Sequence, residues 1–184
     1  MSERKEYKIM EKIIIGRDGD VVLRELMDAD LEKLALYGNN EKVSVNLRDG
    51  FPKPYTIESA RSFKKMIDGQ NPKTFFAIEY QNDYVGNISL SPGTDVYRKS
   101  AEIGYFIGEP FWNKGIATKA VHLITEWGFN QLDIVRIYTG VFEYNLASQR
   151  VLKKCGFVKE AVFRKSICKD HKIFDEMRFA RLKE

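Results

Sequence analysis

The chain is poor in cysteine and histidine and has no long apolar run. Two cysteines, Cys155 and Cys168, cannot build a disulfide framework and form no Cys-x-x-Cys pair, so both read as reduced thiols packed as small hydrophobes. Two histidines, His122 and His171, lie far apart without metal-ligand spacing, so no metal is expected. No apolar stretch is long enough to cross a bilayer. The charged start Met1-Ser2-Glu3-Arg4-Lys5-Glu6 has no apolar region behind it and does not read as a secretory signal. The expected location is the cytoplasm, with no membrane partner. Two phosphate-binding signatures are also missing. There is no Gly-x-Gly-x-x-Gly, and no P-loop, because Lys114 precedes its glycine instead of following a glycine-rich run.

What is present suits one soluble domain. The 184 residues are 43% hydrophobic and 30% charged, enough for a single core. The net charge of +4 is uneven. Residues 98–184 hold 16 Lys+Arg against 10 Asp+Glu, a net of +6, and residues 1–97 carry a net of −2. That basic half is either a solvated surface or a site for an anion. No basic run is interleaved with aromatics in the manner of single-strand binders, so no nucleic-acid partner is expected.

The pattern of elements is mixed. Ile13-Ile14-Ile15 and Val21 to Leu26 flank Gly16-Arg17-Asp18-Gly19-Asp20, which predicts a β-hairpin with an Asp-Gly turn. Asp28 is placed to cap a helix reaching Tyr37. Two prolines and a glycine between Asn46 and Tyr55 forbid regular structure there. Thr56 caps a second helix, reaching about Asp68. Strands are predicted at Thr74 to Tyr80, Tyr84 to Leu90 and Ala101 to Gly108, with Ser91-Pro92-Gly93-Thr94 as a loop. A helix follows from near Lys114, with Ile116, Ala120, Leu123, Ile124 and Trp127 on one face. Then come a strand from Val135 to Phe142 and a helix capped by Asn145 and ended by Gly156. Two final strands join around Lys169-Asp170-His171-Lys172. This order predicts a mixed α/β (α+β) domain with one mostly antiparallel sheet and helices on both faces.

One stretch carries chemistry. The strand Glu102-Ile103-Gly104-Tyr105-Phe106-Ile107 leads through Phe111-Trp112-Asn113 into Lys114-Gly115-Ile116-Ala117-Thr118 at a helix start. Free N–H groups and the positive end of a helix dipole converge there, and Gly115 and Ala117 let a phosphate approach the backbone. A glycine at a helix start also serves plain structure. Likewise, Asn145 and Ser148 suit helix capping as well as ligand binding.

Taken together, Ala101-Glu102-Ile103-Gly104-Tyr105, Phe111 to Thr118, and Asn145-Leu146-Ala147-Ser148 through Gly156-Phe157 resemble the GNAT superfamily of N-acetyltransferases. The resemblance is strongest to the branch of Rim-type ribosomal-protein N-terminal acetyltransferases and spermidine acetyltransferases. It takes in Leu23-Arg24 with Asp30, Val85-Gly86-Asn87-Ile88 and Asp175, and spans about Ile13 to Arg181. It implies residues 1–184 as one GNAT-like N-acetyltransferase domain, with residues 1–10 as a flexible extension. It implies acetyl-CoA as cosubstrate. The backbone of Ile103, Tyr105, Phe106 and Ile107 would pair with the pantetheine arm. The diphosphate would sit on the loop of Trp112, Lys114, Gly115, Ile116, Ala117 and Thr118. Trp112 stands where much of the family has Gln or Arg. Asn145 would bind the pantetheine and Ser148 would lie near the thiol. The basic C-terminal half would then meet the 3′-phosphate of CoA.

Catalysis by that resemblance needs a base, an oxyanion donor and help for the leaving thiolate. Glu102 is the candidate base, acting through a water, although it also suits a surface ion pair. Ser148 is the candidate partner of the thiolate. A backbone N–H of the Ile103–Ile107 strand is the candidate oxyanion donor. Asp49, Phe51 and Tyr55, in the irregular Arg48 to Tyr55 loop, are the candidate acceptor contacts. The expected activity is transfer of an acetyl group to a primary amine, whether a protein N-terminus, a polyamine or another small amine, in a ternary complex. A non-catalytic acyl-CoA sensor on the same fold is the alternative. A homodimer is compatible with either.

Overall fold

A computed structural model describes residues 13–184. The extension expected at residues 1–10 lies outside the described residues. The chain forms β1 (Ile14–Asp18) and β2 (Val21–Arg24), α1 (Leu31–Gly38), α2 (Glu41–Ser44) and α3 (Ile57–Asp68). Three strands follow: β3 (Phe75–Tyr80), β4 (Asp83–Pro92) and β5 (Ser100–Ile107). The rest is α4 (Ile116–Gln131), β6 (Arg136–Phe142), α5 (Leu146–Lys154), β7 (Val158–Lys169) and β8 (Lys172–Leu182). The expected order of elements holds, and α2 is an addition that the sequence reading did not contain.

The described residues form one eight-stranded sheet in the order β1-β2-β3-β4-β5-β6-β8-β7. Neighbours are antiparallel except β5 and β6, which are parallel. A parallel pair needs a long crossover, and α4 supplies it. Alternation along the strands divides the core in two. Leu23, Ile78, Ile88 and Ile103 face α4, where Ile116, Ala120 and Ile124 cover them, and Leu152 of α5 joins this cluster. Ala77, Tyr84 and Phe106 face the opposite way, under Leu34 of α1 and Ala60 and Ile67 of α3. Helices therefore cover both faces. Each fully buried Leu or Ile contributes roughly 1.5–3 kcal/mol of transfer free energy.

Four local expectations need correction. Asp28 does not cap α1. A 3-10 turn, Asp28–Asp30, precedes that helix, because Asp30 is drawn inward by Arg24, whose Nη2 donates to Asp30 Oδ1 at 2.8 Å. Asp30 Oδ2 also accepts the Met27 N–H at 2.8 Å and so fixes the turn. Strand β1 runs on to Asp18, so only Gly19 and Asp20 turn the hairpin. Strand β4 continues to Pro92, pairing Ser91 with Glu102 and Pro92 with Ala101 where a loop was expected. Finally, Cys155 is buried as expected, but Cys168 is exposed, on β7 beside the chain reversal. The caps at Thr56 and Asn145 are as read, each side chain accepting the N–H three residues on.

Candidate active site

The sheet splits at its centre. Strands β5 and β6 pair only through Ser100–Arg136, Ala101–Ile137 and Glu102–Tyr138. Beyond that row β5 stays with β4 as far as Ile107, and β6 stays with β8 as far as Phe142. The main chain alternates, and the even-numbered side faces β4: Gly108 N–H donates to Val85 C=O at 2.8 Å, and Ser100 C=O accepts from Gly93 N–H at 2.8 Å. The odd-numbered groups therefore face the split. There the Tyr105 N–H and C=O and the Ile107 N–H have no strand partner among the described residues. The Ile107 C=O is taken by the Trp112 indole N–H at 2.7 Å. Trp112 thus ties the following loop to the end of the open edge.

A cleft of about 1740 Å³ opens at the split. It is lined by every residue singled out above: Glu102, Ile103, Tyr105, Phe106, Ile107, Trp112, Lys114, Gly115, Ile116, Ala117, Thr118, Asn145, Ser148, Asp49, Phe51 and Tyr55. Residues that lie far apart in the chain meet there because the crossover through α4 returns β6 and α5 beside β5.

At one end of the cleft, α4 begins at Ile116, two residues later than the sequence suggested, with Gly115 as its N-cap at φ +75°. The left-handed backbone at Gly115 turns the loop so that the first-turn N–H groups of α4 open on the cleft. The first turn holds no acidic residue. Arg150 and Lys154 of α5 line the same region and have no acidic partner among the described residues. Lys114 lies over the Phe111 ring at 5.3 Å. Lys119, by contrast, is held by Asp18 at 3.3 Å. Helix-end N–H groups and cations of this kind can receive an anion.

Midway along, Asn145 Oδ1 accepts the Ser148 N–H at 3.1 Å, and its amide N–H₂ group makes no hydrogen bond among the described residues. Capping therefore leaves the donor half of Asn145 for a ligand. Ser148 Oγ is 2.8 Å from the Tyr105 hydroxyl. Burial pushes the Tyr105 phenol above its ordinary value, so this pair stays protonated through neutral pH. The buried Cys155 Sγ donates to Thr118 C=O at 3.3 Å and joins α5 to the first turn of α4.

The other arm lies on the opposite face of β4 and β5. Its floor is three cross-strand rows: Ser91 with Glu102, Ser89 with Gly104, and Asn87 with Phe106. Gly104 is exposed on this floor, and a Cβ there would touch only Ser89 Oγ, at 3.7 Å. Its missing side chain leaves this row of the floor open. Glu102 Oε1 is held by Arg48, while Oε2 makes no hydrogen bond among the described residues. Phe51 stacks on Tyr55 at 4.4 Å and meets Phe106 edge-on at 6.1 Å. Burial raises the Tyr55 phenol to about 12. Asp49 is paired with Lys169, which lowers its pKa, so its charge is already answered within the chain.

Sequence reading missed several of these groups. Tyr105 was expected to contribute only backbone, yet its hydroxyl holds Ser148. Asn87, Ser89 and Ser91 carried a readable signal, since they alternate with the apolar Ile88 and Leu90 along β4. Phe63 of α3, which meets Phe75 at 4.6 Å, and Glu176 of β8 also line the cleft. They gave no local signal.

Residues 20–158 match the family model described as the acetyltransferase (GNAT) domain. The chain is 33% identical over 152 residues to a protein of Bacillus subtilis (strain 168) described as "Probable N-acetyltransferase YjcK", covering 78% of this chain and 82% of that one. It is 30% identical over 142 residues to the spermidine N(1)-acetyltransferase of Escherichia coli (strain K12), covering 76% and 74%. In fold it resembles RimL, a ribosomal-protein alpha-N-acetyltransferase solved in complex with coenzyme A. The TM-score is 0.82 at 20% identity, over 92% of this chain and 98% of that one.

Proposed function

The chain belongs to the GNAT acetyltransferase family, and from that premise we propose that it moves the acetyl group of acetyl-CoA to a primary amine by direct attack in a ternary complex. The observation that carries this reading is the unpaired β5 edge at Tyr105 and Ile107, aligned with the open N-terminus of α4. An extended amide-bearing arm ending in a diphosphate fits that arrangement. The edge offers N–H and C=O groups to the arm, the helix end offers N–H groups to the diphosphate, and Arg150 and Lys154 offer charge to a further phosphate.

When bound, acetyl-CoA supplies a thioester, an acyl group activated for attack. The chain's own groups do the rest. Glu102 Oε2, through a water, takes the proton that the amine sheds as the N–C bond forms. A positioned base of this kind typically contributes ~10²–10⁴-fold. An N–H of the open β5 edge faces the acyl oxygen as charge builds there, a contact worth about 2.7–4 kcal/mol where such donors have been removed. The protonated Ser148–Tyr105 pair hydrogen-bonds the sulfur as the C–S bond breaks and orients it. Holding the two reactants together is a further large contribution.

The test is thiol release from acetyl-CoA in the presence of a panel of amines, with mass spectrometry for the gain of one acetyl group. Release that depends on the amine, with acetylated product, is the expected result. Acetyl-CoA binding with no release for any amine would favour the sensor reading instead.

A further inference from the structure

The two arms of the cleft treat charge differently. At the α4 end, Lys114, Arg150 and Lys154 have no acidic partner among the described residues, and only Lys119 is paired, with Asp18. On the acceptor side, each carboxylate lining the cleft already has a cation from the chain: Asp49 has Lys169, Glu58 has Arg61 at 3.9 Å, Glu102 has Arg48, and Glu176 has Arg178 at 3.1 Å. A polyamine needs several unpaired carboxylates along its path, because an ammonium taken from water without a counter-charge is strongly disfavoured. Among the described residues this arm offers none. It offers aromatic residues instead: Phe51, stacked on the buried Tyr55 and edge-on to Phe106 of the floor, and Phe63, edge-on to Phe75.

Asn87 is the second observation. It is only 4% exposed, it lines the cleft, and its Oδ1 has no hydrogen-bond partner among the described residues. A buried acceptor without a donor is rare and signals a missing partner. Asn87 lies one row to one side of the Ser89–Gly104 row, and Glu102 lies one row to the other. Same-face rows are about 6.7 Å apart along a strand. A nitrogen above Gly104 is therefore flanked by both. A neutral primary amine has two N–H groups and one lone pair. One N–H suits Asn87 Oδ1, the other suits Glu102 through water, and the lone pair is left for the thioester.

We infer that the acceptor is a single primary amine carried on an apolar, aromatic or branched body, not a polyamine, and that Asn87 Oδ1 receives one of its N–H groups. The inference rests on the transferase reading above. Such an amine comes either from a small arylalkylamine or from a peptide whose first residue is large and apolar.

The experiment measures kcat/KM for phenethylamine, a phenylalanine-led peptide, putrescine and spermidine, with the wild-type chain and Asn87→Leu. The expected preference is at least ~10-fold for one of the aromatic amines over spermidine, and whichever wins identifies the source. Asn87→Leu removes an orphan acceptor from a buried place, so it should raise Tm while lowering kcat/KM for the amine ~10-fold or more, with the acetyl-CoA Kd unchanged. If the leucine variant does not fold, Asn87→Ala carries the same kinetic expectation. Best activity on spermidine, or an amine kcat/KM that Asn87 variants leave untouched, overturns the inference while leaving acetyl transfer intact. No transfer to any amine overturns the transferase reading itself.

Discussion

Glu102 and Arg48 meet across the mouth of the acceptor arm, and only one carboxylate oxygen is taken. The other is free to act on the amine. Glu102→Gln keeps the shape and the hydrogen bonding but cannot accept a proton at neutral pH. The expected result is a fall in kcat of ~10²–10⁴ with the acetyl-CoA Kd within twofold, read by stopped thiol-release assays and calorimetry. Full activity across the pH range would remove Glu102 as the base. Tyr55 gives a pH effect of a different kind. Its folded pKa is raised by burial to about 12, so the neutral phenol is favoured in the folded state. That contribution is fully present below the ordinary value near 10 and is lost as pH rises through about 12. Tyr55→Phe should accordingly lose less stability across that alkaline window than the wild-type chain, as followed by urea unfolding on either side of it.

At the scale of elements, Gly115 and the first turn of α4 act as one device. A Cβ at Gly115 would meet nothing within 4 Å, so the position is constrained by its φ of +75° and not by space. Asparagine tolerates that conformation and glutamate does not. Gly115→Asn should keep acetyl-CoA affinity within a few fold. Gly115→Glu adds backbone strain and a negative charge at a phosphate site, and should weaken binding by ~10-fold or more. Equal affinity for both variants would remove the diphosphate from this turn.

The same scale explains what could be read in advance. Caps at Thr56 and Asn145, the α4 stripe and the closing β7–β8 reversal depend on neighbours a few residues away, and the sequence displays those. The start of α1 was misread at Asp28 because its geometry is set by Asp30 reaching back to Arg24. The motifs of the cofactor arm were legible because they lie in continuous stretches around β5, α4 and α5. The acceptor arm was not, since its decisive pairs join positions 54 residues apart for Arg48 and Glu102 and 120 apart for Asp49 and Lys169. No local pattern records such a meeting. Asn87 is an intermediate case: the alternation along β4 marks its face as polar, but only packing shows that Asn87 itself is buried and its side-chain carbonyl unpartnered among the described residues.

For the whole molecule, the largest electrostatic commitment lies away from the cleft. Arg24 is buried between Asp30 and Glu79, with Nε donating to Glu79 Oε2 at 2.6 Å, and the three groups bind the β2–α1 connection to β3. Arg24→Met would leave both carboxylates buried without their shared guanidinium. A loss of about 3–5 kcal/mol is expected from denaturant melts, with the remaining folded protein still able to bind acetyl-CoA. A loss under about 1 kcal/mol would mean that the network behaves like an exposed ion pair.

The sheet that this network braces holds β5 and β6 apart beyond the Glu102–Tyr138 row. Amide hydrogen exchange with and without acetyl-CoA tests that claim most directly. The amides of Tyr105 and Ile107 and of Ile116 to Thr118 should exchange more slowly in the presence of acetyl-CoA, while β1 and β2 on the far side change little. Binding that protects other segments and leaves the β5 edge and the start of α4 exchanging as before would show that the cofactor sits elsewhere.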